Sequence, residues 1–246
     1  MSYTGADLIA HGLVDLGVEQ VFGIVSIHNM PLFDAINRLG KTRIIDVRHE
    51  QAGTHAADGY ARATGRMGVM IASTGPGTAN TVSGLYEAQY ASSKVLLITG
   101  QAETAFYGKG LGYVHEAESQ VPMLRTVCRR VESPRHVNQL ASALSAVVQD
   151  MHTGRGAPGA LEIPIDLQYA AVEKVRVAAL ETPEFAPDEQ MTAKIAERIR
   201  GTRRRVIVAG GGVIAGEGSA ALMRLAEQLD APVITSVDGR GAIPED

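Results

Sequence analysis

Short apolar runs alternate with amphipathic stretches along the first two thirds of the chain. Runs rich in Val and Ile at residues 20–24, 43–47, 68–73, 95–99, 126–131 and 160–165 are mostly continuous, as strands covered on both faces are. Between them the spacing predicts helices. Thr4-Gly-Ala-Asp7 reads as a capping box opening a helix that stops near Gly17. Further helices are expected over 30–39, ending at Gly40; over 50–64, ending at Gly65; and over 78–92, after a Gly-Pro-Gly turn. Leu140, Leu144, Val147, Val148 and Met151 mark one face of a helix over 137–152. This alternation predicts an α/β fold: a doubly wound, mainly parallel sheet with helices on both faces.

The pattern changes after Asp166. Residues 174–190 lack periodicity and carry Pro183 and Pro187, which predicts a linker. The expected division is a first domain over 1–173, the linker over 174–190, and a partial second domain over 191–246. That second unit reads as a helix over 192–200, a strand over 206–209, three glycines at 210–212, a helix over 219–229 and a strand over 233–236. A single βαβ unit cannot cover its own sheet. The chain is therefore expected to be the N-terminal portion of something longer.

Composition narrows the classes. With 45% hydrophobic and 20% charged residues the chain is globular in type. A formal net charge of −4 lacks the basic excess of a nucleic-acid binder. No stretch approaches the roughly 18 uncharged apolar residues of a spanning helix, so no membrane partner is expected. Cys128 has no cysteine to pair with, and no charged-then-apolar leader opens the chain; both point to a cytoplasmic location. Cys128 sits in the strand-like TVCRRV with no evident base, which favours a packing role over a nucleophilic one.

In open α/β sheets ligands bind outside the carboxyl ends of the parallel strands. The loops expected there span 23–31, 48–51, 74–80 and 100–120, and they collect the unusual polar residues. Arg48-His49-Glu50 follows the apolar pair Ile44-Ile45. As the first carboxylate of a helix, Glu50 would gain about 0.3–1 kcal/mol from the macrodipole, which explains little. His49-Glu50 with His55 is not a zinc-protease motif, because the second histidine falls two positions late. Thr74-Gly-Pro-Gly-Thr-Ala-Asn80 opens a helix, either as a tight turn or as a rim for a polar or anionic ligand edge. No Gly-Lys-Ser/Thr follows, so it is not a phosphate loop. His28 and His115 lie in the remaining loops, and no cysteine or carboxylate cluster proposes a metal site. Glycines 210–212 with Ala215, and Asp238 after the next strand, fit a dinucleotide fingerprint loosely.

Taken in order, FGI, RHEQ, TGPGTAN, ITGQ and PGALEIPID resemble the pyrimidine-binding domain of thiamine-diphosphate-dependent enzymes, in particular their acetolactate synthase-like group. RVIVAGGG and SVDGRGAIPED resemble the first part of that family's central domain. The resemblance implies thiamine diphosphate as cofactor, with Mg²⁺ and the diphosphate held by a third domain that nothing in this chain matches. Some family members also bind FAD in the central domain, where glycines 210–212 would suit its phosphates. It implies an active site formed between subunits of a homodimer or homotetramer, and inactivity of this chain alone. It assigns Glu50 to N1′ of the aminopyrimidine, favouring the 4′-imino tautomer. Gly23, Ile24, Val25, Ser26, Thr74, Gly75, Pro76, Gly77 and Asn80 would line the cofactor beside it.

Two departures bear on the substrate. The family's FGxPG reads Phe22-Gly-Ile-Val-Ser26 here, and the aromatic-Gln-Glu of acetolactate synthases reads Val114-His-Glu116. His28 and His115 are thus expected as catalytic proton carriers. The implied activity is carbon–carbon bond formation or cleavage on small 2-oxo acids, acetolactate synthase-like. A 2-hydroxyacyl lyase or 2-oxo acid decarboxylase is the alternative within the family. Outside that activity stand a non-catalytic subunit, and a dinucleotide-binding oxidoreductase that would leave RHEQ and TGPG unexplained.

Overall fold

The computed structural model describes residues 3–178, 181 and 186–244. Its contacts divide the chain into two units, Met1–Thr182 and Pro183–Asp246. Of the stretch read as a linker, residues 179, 180 and 182–185 lie outside the described residues. Its first part is not free: Val177 is buried in the first unit's core and meets Gly12. A single apolar residue in a polar run gives no periodicity, which is why that docking was invisible in the sequence.

In the first unit the elements alternate as expected. They are α1 (Gly5–Asp15), β1 (Gln20–Gly23), α2 (Met30–Leu39), β2 (Arg43–Asp46), α3 (Glu50–Thr64), β3 (Gly68–Ala72), α4 (Pro76–Ala91), β4 (Val95–Gln101), α5 (Gln120–Leu124), β5 (Arg130–Glu132), α6 (Leu140–His152), β6 (Gly159–Pro164) and α7 (Ile165–Tyr169). Capping fixes many ends. The Thr4 hydroxyl accepts from the Asp7 N–H while the Asp7 carboxylate accepts from the Thr4 N–H, the reciprocal pair that starts α1. Gly40 and Gly65 end α2 and α3 in the left-handed conformation.

All six strands are parallel, in the order β2-β1-β3-β4-β6-β5. Every residue of β3, β4 and β6 is buried, which accounts for their largely apolar sequences, with Thr99, Gln101 and Glu162 the polar exceptions. Successive residues still face opposite ways: Val69 and Ile71 join the core under α1, α2 and α6, while Met70 and Ala72 join the core under α3, α4 and α5. The chain winds from β1 outward to β2, then returns across β1 to β3. The crevice of a doubly wound sheet opens where that order reverses, beyond the ends of β1 and β3.

One strand differs from the reading of the sequence. Residues 126–129 of the expected strand over 126–131 stay outside it: the turn of α5 runs on, with the Val127 and Cys128 N–H groups both donating to the Leu124 carbonyl, and the Arg129 N–H donates to the Pro158 carbonyl. Val127 and Cys128 are buried there against the core as helical-turn residues. A short apolar run bears no period, so turn and strand look alike in it. Helix α4 begins two residues before the expected 78, because Pro76 serves as its first residue.

The second unit holds α8 (Glu189–Arg200), β7 (Ile207–Ala209), α9 (Gly211–Ala215), α10 (Ser219–Leu229) and β8 (Val233–Thr235). Helix α8, capped by Asp188, starts inside the expected linker. Strands β7 and β8 pair in parallel, and Ala209, Leu222 and Ala242 form a small core. Among the described residues, no helix is long and apolar enough to cross a membrane.

Candidate active site

The four rim loops end on β1, β2, β3 and β4, and each is fixed by local chemistry. After β1, Gly23 must lack a side chain: a Cβ there would stand 2.5 Å from the Ile71 carbonyl and 2.8 Å from the Phe33 ring. Asn29, buried, clamps the loop that leaves the strand. Its side-chain oxygen accepts from the Ser26 N–H at 2.7 Å and its amide donates to the Ile24 carbonyl at 3.1 Å. Val25 stays exposed in that loop.

After β2 the three charged residues part ways. Arg48 is exposed. His49 caps α3, its Nδ1 accepting from the Gln51 N–H at 3.2 Å. Glu50, the first residue of α3, is half-buried and turns toward the next loop. Its Oε2 accepts from the Asn80 amide at 3.0 Å, and its Oε1 lies 3.1 Å from where a Cβ on Gly77 would be. The carboxylate therefore turns toward the Pro76 turn while staying partly open to water, and an alanine at 77 would crowd it.

After β3, Gly75 adopts φ 58°, ψ −113°, a conformation open only to glycine. A Cβ there would also meet the His115 carbonyl at 2.7 Å. Pro76 has no N–H, and the N–H of Gly77 bonds back to the Thr74 carbonyl at 3.3 Å. The turn thus offers fewer free donors than the sequence led one to expect. It presents instead a side-chain-free edge at Gly75 and Gly77, bordered by the carboxylate of Glu50.

After β4, the loop runs to α5. It is pinned at Thr104, whose N–H and hydroxyl both donate to the Asp166 carboxylate, and at Tyr107, with the Arg135 guanidinium 3.7 Å over its ring. His115 sits at φ 59°, and its carbonyl accepts from the Thr74 hydroxyl at 3.3 Å. The two expected histidines meet: their ring centroids are 5.8 Å apart. His115 is exposed, whereas His28 is 1% exposed, behind it.

Neither ring nitrogen of His28 makes a well-formed hydrogen bond with the protein, although the Val114 carbonyl lies near enough to favour the protonated ring. Burial, reinforced by His115, wins over that carbonyl and holds the His28 pKa below the usual histidine value. An orphaned, neutral imidazole in a buried position is a group waiting for a partner.

The site therefore brings together Glu50, Gly75, Pro76, Gly77 and Asn80 at one turn, with His115 and His28 on its other flank and the segment from Gly23 to Ser26 across the crevice from β3. Cys128 is elsewhere, buried under α5 with its thiol pushed up to about 12 by burial, and carries no nucleophile. Sequence reasoning missed Gln101, Gln120 and Glu162, a buried polar chain behind the Gly75 turn. Its one available signal was a glutamate in the otherwise apolar strand GALEIP. In the second unit, Gly211 packs against Asp238, and the Gly239 position against Ala209, so the glycine turn is at least partly a packing feature. Among the described residues, no group of three His, Cys, Asp or Glu side chains could hold a metal ion.

Two models of one family match the chain: the N-terminal TPP binding domain of thiamine pyrophosphate enzymes over residues 3–123, and their central domain over 192–246. Among curated proteins, the chain is 34% identical to a probable acetolactate synthase large subunit of Methanocaldococcus jannaschii, over 98% of this chain and 42% of that protein. It is 33% identical to an acetolactate synthase of Mycobacterium avium, over 98% and 39% respectively. It is 32% identical to a probable 2-ketoarginine decarboxylase of Pseudomonas aeruginosa, over 99% and 43%. The chain thus spans about two fifths of the length of these relatives.

Proposed function

The chain belongs to the thiamine pyrophosphate enzyme family, and from that premise we propose that it is the pyrimidine-binding part of an enzyme that makes or breaks a carbon–carbon bond in a small 2-oxo acid. The observation that carries this reading is the carboxylate of Glu50 set against the bare Gly75–Gly77 edge, with Asn80 holding one oxygen. The glycines let the turn close beside that carboxylate, since a Cβ at 75 would meet the His115 carbonyl and one at 77 the Ser73 side chain and Glu50 itself; a flat heteroaromatic ring would lie against the turn so formed. A carboxylate beside a ring nitrogen holds or shares its proton, which is the role assigned to Glu50. When bound, thiamine diphosphate supplies a thiazolium carbon that adds to the substrate carbonyl and an electron sink for the loss of CO2.

The chain's own residues do the rest. Gly23, Ile24, Val25 and Ser26 line the opposite wall of the crevice, and Thr74, Gly75, Pro76 and Gly77 set the depth to which a ring can enter. His115, exposed, exchanges protons with solvent or substrate; His28, behind it, holds a proton only when a partner compensates its burial. Mg²⁺ and the diphosphate are assigned to a part of the family's enzymes outside the length matched here, and FAD to no step. The working form is a homodimer or homotetramer in which a second subunit closes over this edge.

Acetolactate synthase-like chemistry joins two 2-oxo acids. The histidine pair favours a second reading, a 2-oxo acid decarboxylase or 2-hydroxyacyl lyase, because those reactions need a proton delivered where a synthase needs a second carbonyl. The similarity to a probable 2-ketoarginine decarboxylase supports it equally.

In the full-length protein, Glu50→Gln is expected to lower turnover by at least ~10²–10⁴-fold, the usual contribution of a positioned acid or base. It should leave the melting temperature nearly unchanged, since only one exposed hydrogen bond is altered. Wild-type turnover in that variant would end the reading.

A further inference from the structure

One fully buried carboxylate takes no part in that chemistry. Glu162 lies mid-strand in β6, beneath the ends of β3 and β4, with no cation near it among its hydrogen-bond partners. Its Oε2 accepts from the Gln120 amide at 2.6 Å and the Gln101 amide at 3.1 Å, and its Oε1 from the Ser133 hydroxyl at 2.7 Å. Three donors converge on a side chain that could have been apolar. Such a group is costly to bury, so its neighbours indicate what it is for.

The Gln120 amide is the informative neighbour. Its nitrogen end donates to Glu162 and to the Gly100 carbonyl at 3.0 Å, and its oxygen end accepts from the Gly75 N–H at 2.8 Å and the Thr74 hydroxyl at 3.1 Å. The Glu162 oxygen that meets both amides serves as their common acceptor. It therefore dictates which way the amide points, and the oxygen end must face the turn. Gln101 repeats the arrangement: nitrogen toward Glu162, oxygen toward the Ala102 N–H at 2.8 Å and the Thr74 hydroxyl at 3.4 Å. Gly75, in its glycine-only conformation, is the residue on which this chain of polarised bonds ends.

We propose that Glu162 is a positioning residue that acts through Gln120 to hold the Gly75 N–H, and with it the bare edge opposite Glu50, at a fixed depth. What that edge is for rests on the function proposed above; that the edge is held this way does not. Breaking the chain should loosen the turn while the buried strands stay closed, because β3, β4 and β6 keep their own ladders.

The test uses the full-length protein with two substitutions: Gln120→Met, which conserves volume but removes both ends of the amide, and Glu162→Gln, which lets the Gln120 amide reverse. Without any cofactor, amide exchange in peptides covering residues 74–80 is expected to quicken at least about tenfold, the loss of one buried hydrogen bond. Exchange in β4 and β6 should stay as in the wild type. With thiamine diphosphate and substrate, kcat should fall while KM for the 2-oxo acid holds. Unchanged exchange at 74–80 in both variants, or exchange raised equally through the whole sheet, would overturn the inference. Neither result depends on Glu50: a fully active Glu50→Gln protein removes the proposed function and leaves the exchange comparison standing.

Discussion

A carboxylate one residue into a helix is unremarkable until something is found facing it. For Glu50 that something is Gly77 and Asn80, contributed by another helix thirty residues on. Its neighbour His49 spends its ring on a cap, and Arg48 stays in water. The same triplet thus holds a solvated charge, a structural cap and a directed acid, which no count of charges could separate. The rim segments stood out in the sequence because each follows an apolar strand and has its own spelling. Gln120 and Glu162 were not, because hydrogen bonds spanning 45 and 42 positions leave no local pattern. The histidines give a prediction at this scale. His115→Ala and His28→Ala should each remove one limb of the pH–rate profile or shift the ratio of joined to protonated product. A wild-type profile and product ratio in both variants would take the proton-carrier role from the pair.

At the scale of elements, capping decided what could be read. Helices α2 and α3 have the ends that their sequences announce, since Gly40 and Gly65 close them, and α10 ends at the expected 229, where Asp230 takes the left-handed conformation. Strand ends were less clear: β4 runs on to Gln101, two residues past the expected 99, because its last backbone groups still pair with Gly159–Pro164 of β6. The short helices α5, α7 and α9, five residues each, had too little length to show a period. The misread segment over 126–129 has a chemical consequence. Cys128 is packed beneath α5 and not displayed along a strand edge, and burial raises its thiol to about 12. A thiol-directed alkylating reagent at neutral pH, followed by peptide mapping, should leave Cys128 unmodified in the native protein and label it after denaturant is added. Rapid native labelling would contradict that placement.

For the whole molecule, the parallel order was predictable from alternation, but the sequence could not say that β1 lies inside β2 and β3. That placement sets where the crevice opens. Two imidazoles also link the fold to pH, His28 buried and His152 half-buried at the end of α6. His28 and His152 both have their pKa held below the usual 6.5, mainly by burial. Below about pH 6.5 the unfolded chain binds protons that the folded one refuses, so stability falls as pH drops through that window and recovers above it. Urea midpoints measured from pH 7.5 to 5.5 should show this decline, and His152→Gln should flatten it. An identical slope in that variant would mean that His152 titrates freely in the fold.

The delivery of Glu50, His28 and His115 by three separate connections has a further meaning. Each lies beyond the end of a strand and outside the strand ladders, although His28 is itself packed against Gly100 and Gln168. If the function proposed above holds, a scaffold of this plan separates the group that would meet the coenzyme from those that would meet the substrate, so each can be tuned by editing a few letters of chain beyond a strand.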